Sequence, residues 1–124
     1  MTLSSIVTVG DQMTGHVGHH AGHVDHYETD SDGDRIPIYC SGHQVSGQQT
    51  TGQSKVRIQG KPVAVVGDQG TTDCACDGLG YTNIVGSGKV RINGRGVVRK
   101  SDSVSIHDQG TGTMTTGSDK VRSA

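Results

Sequence analysis

Two stretches of this chain repeat one another at an offset of 34 residues: 52–68, GQSKVRIQGKPVAVVGD, and 86–102, GSGKVRINGRGVVRKSD. Lys55-Val56-Arg57-Ile58 falls on Lys89-Val90-Arg91-Ile92, Gly60 on Gly94, Val63 on Val97 and Asp68 on Asp102. Self-similarity at a fixed period means that one supersecondary unit is used more than once. Each unit reads as a β-hairpin: a short alternating strand, a two-residue turn (Gln59-Gly60 or Asn93-Gly94), and a return strand over 63–66 or 97–100. A polar residue followed by Gly suits the type I′ turn, in which both central residues need φ > 0. Residues 5–11, SIVTVGD, repeat the return strand once more, at an offset of 57 from PVAVVGD, and Lys120-Val121-Arg122 repeats the first strand in a shortened tail. The Asp-terminated strand thus occurs three times, ending at Asp11, Asp68 and Asp102, which implies pseudo-threefold symmetry about one axis. From Asp11 to Lys55 is 44 residues, against 21 and 18 for the other two units, so the first unit carries an insertion of about two dozen residues.

Composition limits what these units can build. Hydrophobic residues make up 30% of the 124, with no Phe or Trp and 20 Gly, which is little apolar volume for a conventional core. A net charge of only −1 and the period-2 repeats argue against disorder. The expectation is one all-β domain over 1–124, a small pseudo-threefold body of short hairpins with an insertion at about 17–40, fastened by something other than a core. Residues 1–9 have neither a basic start nor a long apolar run, so neither a signal peptide nor a membrane span is expected. Three Cys is an odd number and favours metal ligation or free thiols over a closed disulfide framework. The Lys and Arg are spread through the repeats and read as solvated strand positions, with no case for nucleic acid.

The inserted segment opens with five His in eleven residues: His16, His19, His20, His23 and His26. Their spacing would line one helix face, but Gly15, Gly18 and Gly22 oppose a helix by about 1 kcal/mol each. Residues 27–39 read as a protruding hairpin with Asp32-Gly33 at its end. The acidic run around it lacks the Glu that closes a calcium loop and has its Gly out of order, so it reads as a solvated acidic turn.

The positions just after each repeated Asp carry the chemistry. His16 follows Asp11 by five residues, His107 follows Asp102 by five, and Cys74 follows Asp68 by six. His43, ahead of the first Lys-Val-Arg strand, offers a fourth ligand. Three imidazoles and a thiolate suit a closed tetrahedral Zn²⁺ site. The sulfur disfavours Mg²⁺ and Ca²⁺, while Fe²⁺ is chemically compatible. A structural Zn²⁺ can contribute on the order of 10 kcal/mol to the folding of a small domain, so the ion is expected to act as the staple in place of a core.

Short strands ending in Val-Gly-Asp, then His or Cys, then Gly-Ser-x-x-Val-x-Ile-Asn-Gly resemble the PAAR-repeat family. The namesake Pro-Ala-Ala-Arg falls on Pro62-Val63-Ala64-Val65, which keeps Pro and one Ala, and on Gly96-Val97-Val98-Arg99, which keeps the Arg. Family members cap the spike of type VI secretion systems, contractile phage tails and tail-like particles. The resemblance implies a structural, non-enzymatic tip protein seated on a trimeric β-helical spike protein, with effector or baseplate and tube proteins as further partners and transient contact with the target membrane. It implies assembly in the cytoplasm and residence at the tip of the particle. It also implies a small pseudo-threefold cone of short β-hairpins with one zinc stapling its pointed end, carried residue by residue onto His16, His43, Cys74 and His107, with His19 and His20 as alternatives to His16. Cys40 and Cys76 match no ligand position. The inserted hairpin, extra to the family's minimal form, is expected on the side of the cone.

Two other classes share the same residues. A zinc hydrolase would leave one coordination position open and use Asp73 or Asp108 as base; four ligands and a chain poor in pocket-forming residues oppose it. A His-rich metal-sequestering protein would bind several ions weakly, where a stapled tip would hold one tightly.

Overall fold

The computed structural model describes the main chain of residues 3–17, 20–40, 43–73, 80–106 and 110–124, and the side chains of these except 20–26, 39–40 and 43. In chain order the strands are β1 (Ser4–Ser5), β2 (Gln12–Val17), β3 (His20–Thr29), β4 (Arg35–Cys40), β5 (His43–Gln49), β6 (Gln53–Ile58) and β7 (Lys61–Val63). They continue with β8 (Gln69–Thr72), β9 (Gly80–Asn83), β10 (Arg91–Ile92), β11 (Arg95–Gly96), β12 (Ser103–Ile106), β13 (Gly110–Met114) and β14 (Arg122–Ser123). The protein is all-β, with no helix among the described residues.

Six strands close a barrel in the cyclic order β12-β13-β2-β5-β8-β9. It consists of three antiparallel pairs, β2/β5, β8/β9 and β12/β13, laid side by side. Closure leaves no unpaired sheet edge along the wall. The six barrel strands contain no Lys, Arg, Asp or Glu. Their alternation turns Met13, Val17, Val45, Gln49, Tyr81, Val104, Ile106 and Met114 inward, and the other Gln, Ser, Thr and His16 outward. Small residues set how tightly the wall closes: a Cβ on Gly47 would run into the Thr71 carbonyl across the β5/β8 seam.

The pseudo-threefold axis is visible in the main chain. The N–H of Val7 donates to the carbonyl of Val98, that of Val98 to Ala64, and that of Ala64 back to Val7, at 2.9, 2.9 and 3.0 Å. These three residues are fully buried at the neck between the barrel and the base. Single bridges Ile6–Arg99, Thr8–Val63 and Val65–Val97 run beside the triangle. The return strands expected over 63–66 and 97–100 are therefore cut short, because their main-chain groups pair around the axis and not along the hairpins.

Three turns then lead from the neck into the barrel. In each, the Asp N–H donates to the carbonyl three residues back, at 3.0 Å for Asp11, Asp68 and Asp102 alike. In each, a carboxylate oxygen accepts from the N–H of that same residue (Thr8, Val65 or Arg99) at 2.8 Å. The third residue of each turn has positive φ: Gly10 at 96°, Gly67 at 97° and Ser101 at 77°, the signature of a type II turn.

Beyond the neck lie three small strand pairs. β6/β7 and β10/β11 are the expected hairpins, with φ of 52° and 80° at Gln59-Gly60 and 52° and 82° at Asn93-Gly94. The third is assembled from both ends of the chain: β14 pairs with β1, and Ser5 faces Arg122 just as Pro62 faces Arg57 and Gly96 faces Arg91. The expectation of too little apolar volume for a core is corrected. Val7, Ala64 and Val98 join the inward side chains in one cluster inside the barrel, and Ile6, Val63, Val65 and Val97 form a second at the base, packed by Ile58 and Ile92. A narrow barrel is filled by Val, Met, Ala, Ile and one Tyr, so Phe and Trp are not needed.

The insertion contains the separate hairpin β3/β4, irregular between His20, Val24 and His26. Asp30 organises its turn, its Oδ1 accepting the N–H of Asp32 and of Asp34 at 2.9 and 2.8 Å, with Gly33 at φ 87°. The guanidinium of Arg35 lies 4.0 Å from the centre of the Tyr27 ring.

Candidate functional site

The two ends of the barrel differ in chemistry. At the far end, opposite the base, the barrel strands stop at Val17, Thr72 and Ile106 and resume at His43, Gly80 and Gly110. Val17 is opposite both His43 and Gly110, Ile106 is opposite Gly110, and Gly80 is opposite Thr71, so these six strand ends gather around one opening. Of the sequence-predicted ligands, His16 and His43 lie on strands that reach this end. His16 is exposed on the outer face, opposite Thr111 and Gln44, while Val17 takes the inward direction. The main chain of His43 begins β5, and its side chain is not among those described. Cys74 and His107 lie outside the described residues; in the chain Cys74 follows the end of β8 by two residues and His107 follows the end of β12 by one. His19 likewise lies outside them, and His20 is described in its main chain only. The inserted hairpin lies in the chain between Val17, which ends β2, and His43, which begins β5.

Asp73, weighed above as a catalytic base, has its Oδ1 engaged by the Ser46 N–H at 2.8 Å. Asp108 lies outside the described residues. Within the barrel a polar cluster interrupts the apolar filling. Gln49 donates from Nε2 to Asn83 Oδ1 at 2.7 Å and accepts the Tyr81 hydroxyl at 3.1 Å. Burial, with the negative charge of Asp11 behind it, pushes the Tyr81 phenol well above its ordinary pKa.

The cations of the repeats, solvated positions on the sequence pattern alone, gather at the base end. The structure arranges it as a target. A depression of about 510 Å³ has Ile6, Val63 and Val97 as its threefold-related floor. Val56, Val90 and Val121 form its rim, exposed by 40, 42 and 40%. The flanking Lys55, Arg57, Lys89, Arg91, Lys120 and Arg122 are exposed. The signal was in the repeat itself, because the Lys-Val-Arg triplet recurs without drift. The symmetry is imperfect at one place: Ser123 stands where the other units have Ile58 and Ile92, and Ser4 where they have Lys61 and Arg95.

A barrel of three like hairpins, necked onto a threefold base by a closed main-chain triangle, is the architecture of a small pseudo-threefold tip module. The PAAR motif matches residues 41–109, more than half of the chain, and the chain belongs to the PAAR-motif family. Membership points to a structural spike-tip protein of contractile injection systems that associates with a spike protein. No curated protein matches the chain.

Proposed function

We propose that this chain caps and sharpens the trimeric β-helical spike of a contractile injection machine and helps to pierce the target envelope. The observation that carries the reading is the base: one chain presents three near-identical apolar and basic edges about an axis, as a seat for three identical subunits requires. Base strands can extend those of the spike by main-chain pairing. The role is mechanical and needs no turnover. The closed barrel suits it, since strands paired on both sides resist peeling.

At the far end, the reading includes one structural Zn²⁺ held by His43, Cys74, His107 and a histidine of the 16–20 run. The thiolate and imidazole donors suit that ion, and strand ends next to three of the four positions gather at one opening. The outward setting of His16 favours His19 or His20 as the fourth donor. Assembly in the cytoplasm, transient membrane contact at firing and contacts of the inserted hairpin with baseplate, tube or effector proteins complete the reading.

The test is stoichiometry. Co-purified with the trimeric spike protein of its own machine, the chain is expected to form a complex of one copy per trimer, measured by light scattering. Three copies per trimer, or no complex, would overturn the proposal.

A further inference from the structure

The charged residues of this protein are segregated along its axis. Of the 11 Lys and Arg, only Arg35 lies away from the base and neck. Six of the others form two triads: Lys55, Lys89 and Lys120, and Arg57, Arg91 and Arg122. The Arg triad is fixed by the strand register, because its members face Pro62, Gly96 and Ser5, which are equivalent positions of the three units. None of the six has a carboxylate partner among the described residues. Arg57 is held by its own hairpin, donating from Nε to the Ser54 carbonyl at 3.0 Å and from Nη1 to the Gly60 carbonyl at 2.9 Å, and Arg91 donates likewise to Gly94 at 3.3 Å. The carboxylates nearest in the chain do not offset them. Asp68 and Asp102 are buried in their turns and Asp11 is bonded into its own, which leaves Asp119 as the exposed acid at this end among the described residues.

An unpaired cation costs nothing in water, but six of them ringing an apolar depression make a poor seat for a neutral or basic partner. Repetition in threes carries the further information. A single-chain partner with no symmetry has no use for the same charge at three related places, whereas a threefold partner supplies each of its groups three times. Resting on the spike-tip reading, we propose that the base recognises a threefold protein end whose apolar centre is ringed by carboxylates, at least one from each subunit, set against the Lys and Arg triads. The apolar centre provides contact area, and the charge ring selects the partner, speeds its approach and sets its rotational register.

The test measures binding to the trimeric spike protein at about 50 mM and about 500 mM NaCl, conditions that differ severalfold in screening length. The wild-type chain is expected to bind at least about tenfold more weakly at the higher salt. The triple variant Lys55→Glu, Lys89→Glu, Lys120→Glu should bind roughly 100-fold more weakly at low salt, because three rim pairs each worth up to about 1 kcal/mol turn repulsive, and its affinity should rise with salt. An unchanged melting temperature shows that the variant is folded, and the Lys→Gln triple serves if it is not. Salt-independent wild-type binding, with the triple variant equal to it, would overturn the charge ring and leave the spike-tip reading standing. No wild-type binding at either salt would overturn that reading itself. Equal affinity for a short DNA duplex would show a non-specific cationic surface and overturn the ring.

Discussion

At the scale of single residues, the three Asp turns show how one motif is kept with different side chains. Thr116 donates its hydroxyl to Asp11 at 2.9 Å and accepts the Gln12 N–H at 2.9 Å. Thr51 does the same for Asp68 and Gln69, at 3.3 and 2.8 Å. The third unit has Val85 at that place, and Arg99 grips Asp102 with two bonds of 3.0 Å instead. The third unit also departs at Ser101, which holds φ 77° where the others have Gly. A left-handed non-Gly residue costs roughly 1–2 kcal/mol, part of which Gly gives back in the unfolded chain. Ser101→Gly should therefore stabilise the protein by up to about 1 kcal/mol in urea titration; a loss would mean that the Ser side chain contributes more than its strain. Tyr81 offers a second check. Its phenol is raised by burial first and by Asp11 second, so its contribution is complete below about pH 10, the unfolded value, and is lost as pH rises toward the folded one. Tyr81→Phe should cost about 1 kcal/mol at neutral pH by leaving Gln49 Oε1 without its donor. It should also lose less stability than wild type above pH 10, as followed by thermal melts.

At the scale of elements, the hairpins β6/β7 and β10/β11 were legible because a polar-Gly dipeptide between alternating runs has few other conformations. The third pair was legible only as a shortened tail, since its two strands sit at opposite ends of the sequence. The barrel was not foreseen. Segments such as QGTT and GTGTM have low strand propensity and little hydrophobicity, and they are strands because neighbours on both sides complete their hydrogen bonds. The Asp of each unit was read as the end of a strand, and its carboxylate was not anticipated as the group that closes the turn, because that depends on a contact three residues back. The inserted hairpin pairs with itself and has no substantial packing against any barrel strand among the described residues. Removing residues 27–38 and joining His26 to Tyr39 by Asn-Gly should leave the melting temperature within about 5 °C of wild type; a larger fall would reveal that the hairpin supports the barrel.

At the scale of the whole molecule, stability is drawn from the apolar interior and from the proposed ion. One apolar cluster fills the barrel, the neck triangle and the second cluster lie at the neck and base, and the proposed ion belongs to the far opening. Chelation, Cys74→Ser and His107→Ala should each lower the melting temperature sharply, by several kcal/mol of metal-linked stability, while His26→Ala should change it little. Elemental analysis should find one zinc per chain in wild type; equal small losses for all three variants would refute the ligand assignment. The core shows that metal is not the sole fastening, so the metal-free chain should lose its far end before its base.

The hairpin between Val17 and His43 occurs in one unit out of three. Set on a truly symmetric pedestal, the cap can be rotated by a third of a turn and find nearly the same footing, a choice worth only about 0.7 kcal/mol of mixing entropy. Particles would then carry the same arm at three different azimuths. An image reconstruction averaged about the axis should show it three times at one-third occupancy, and sorting without averaging should restore a single arm.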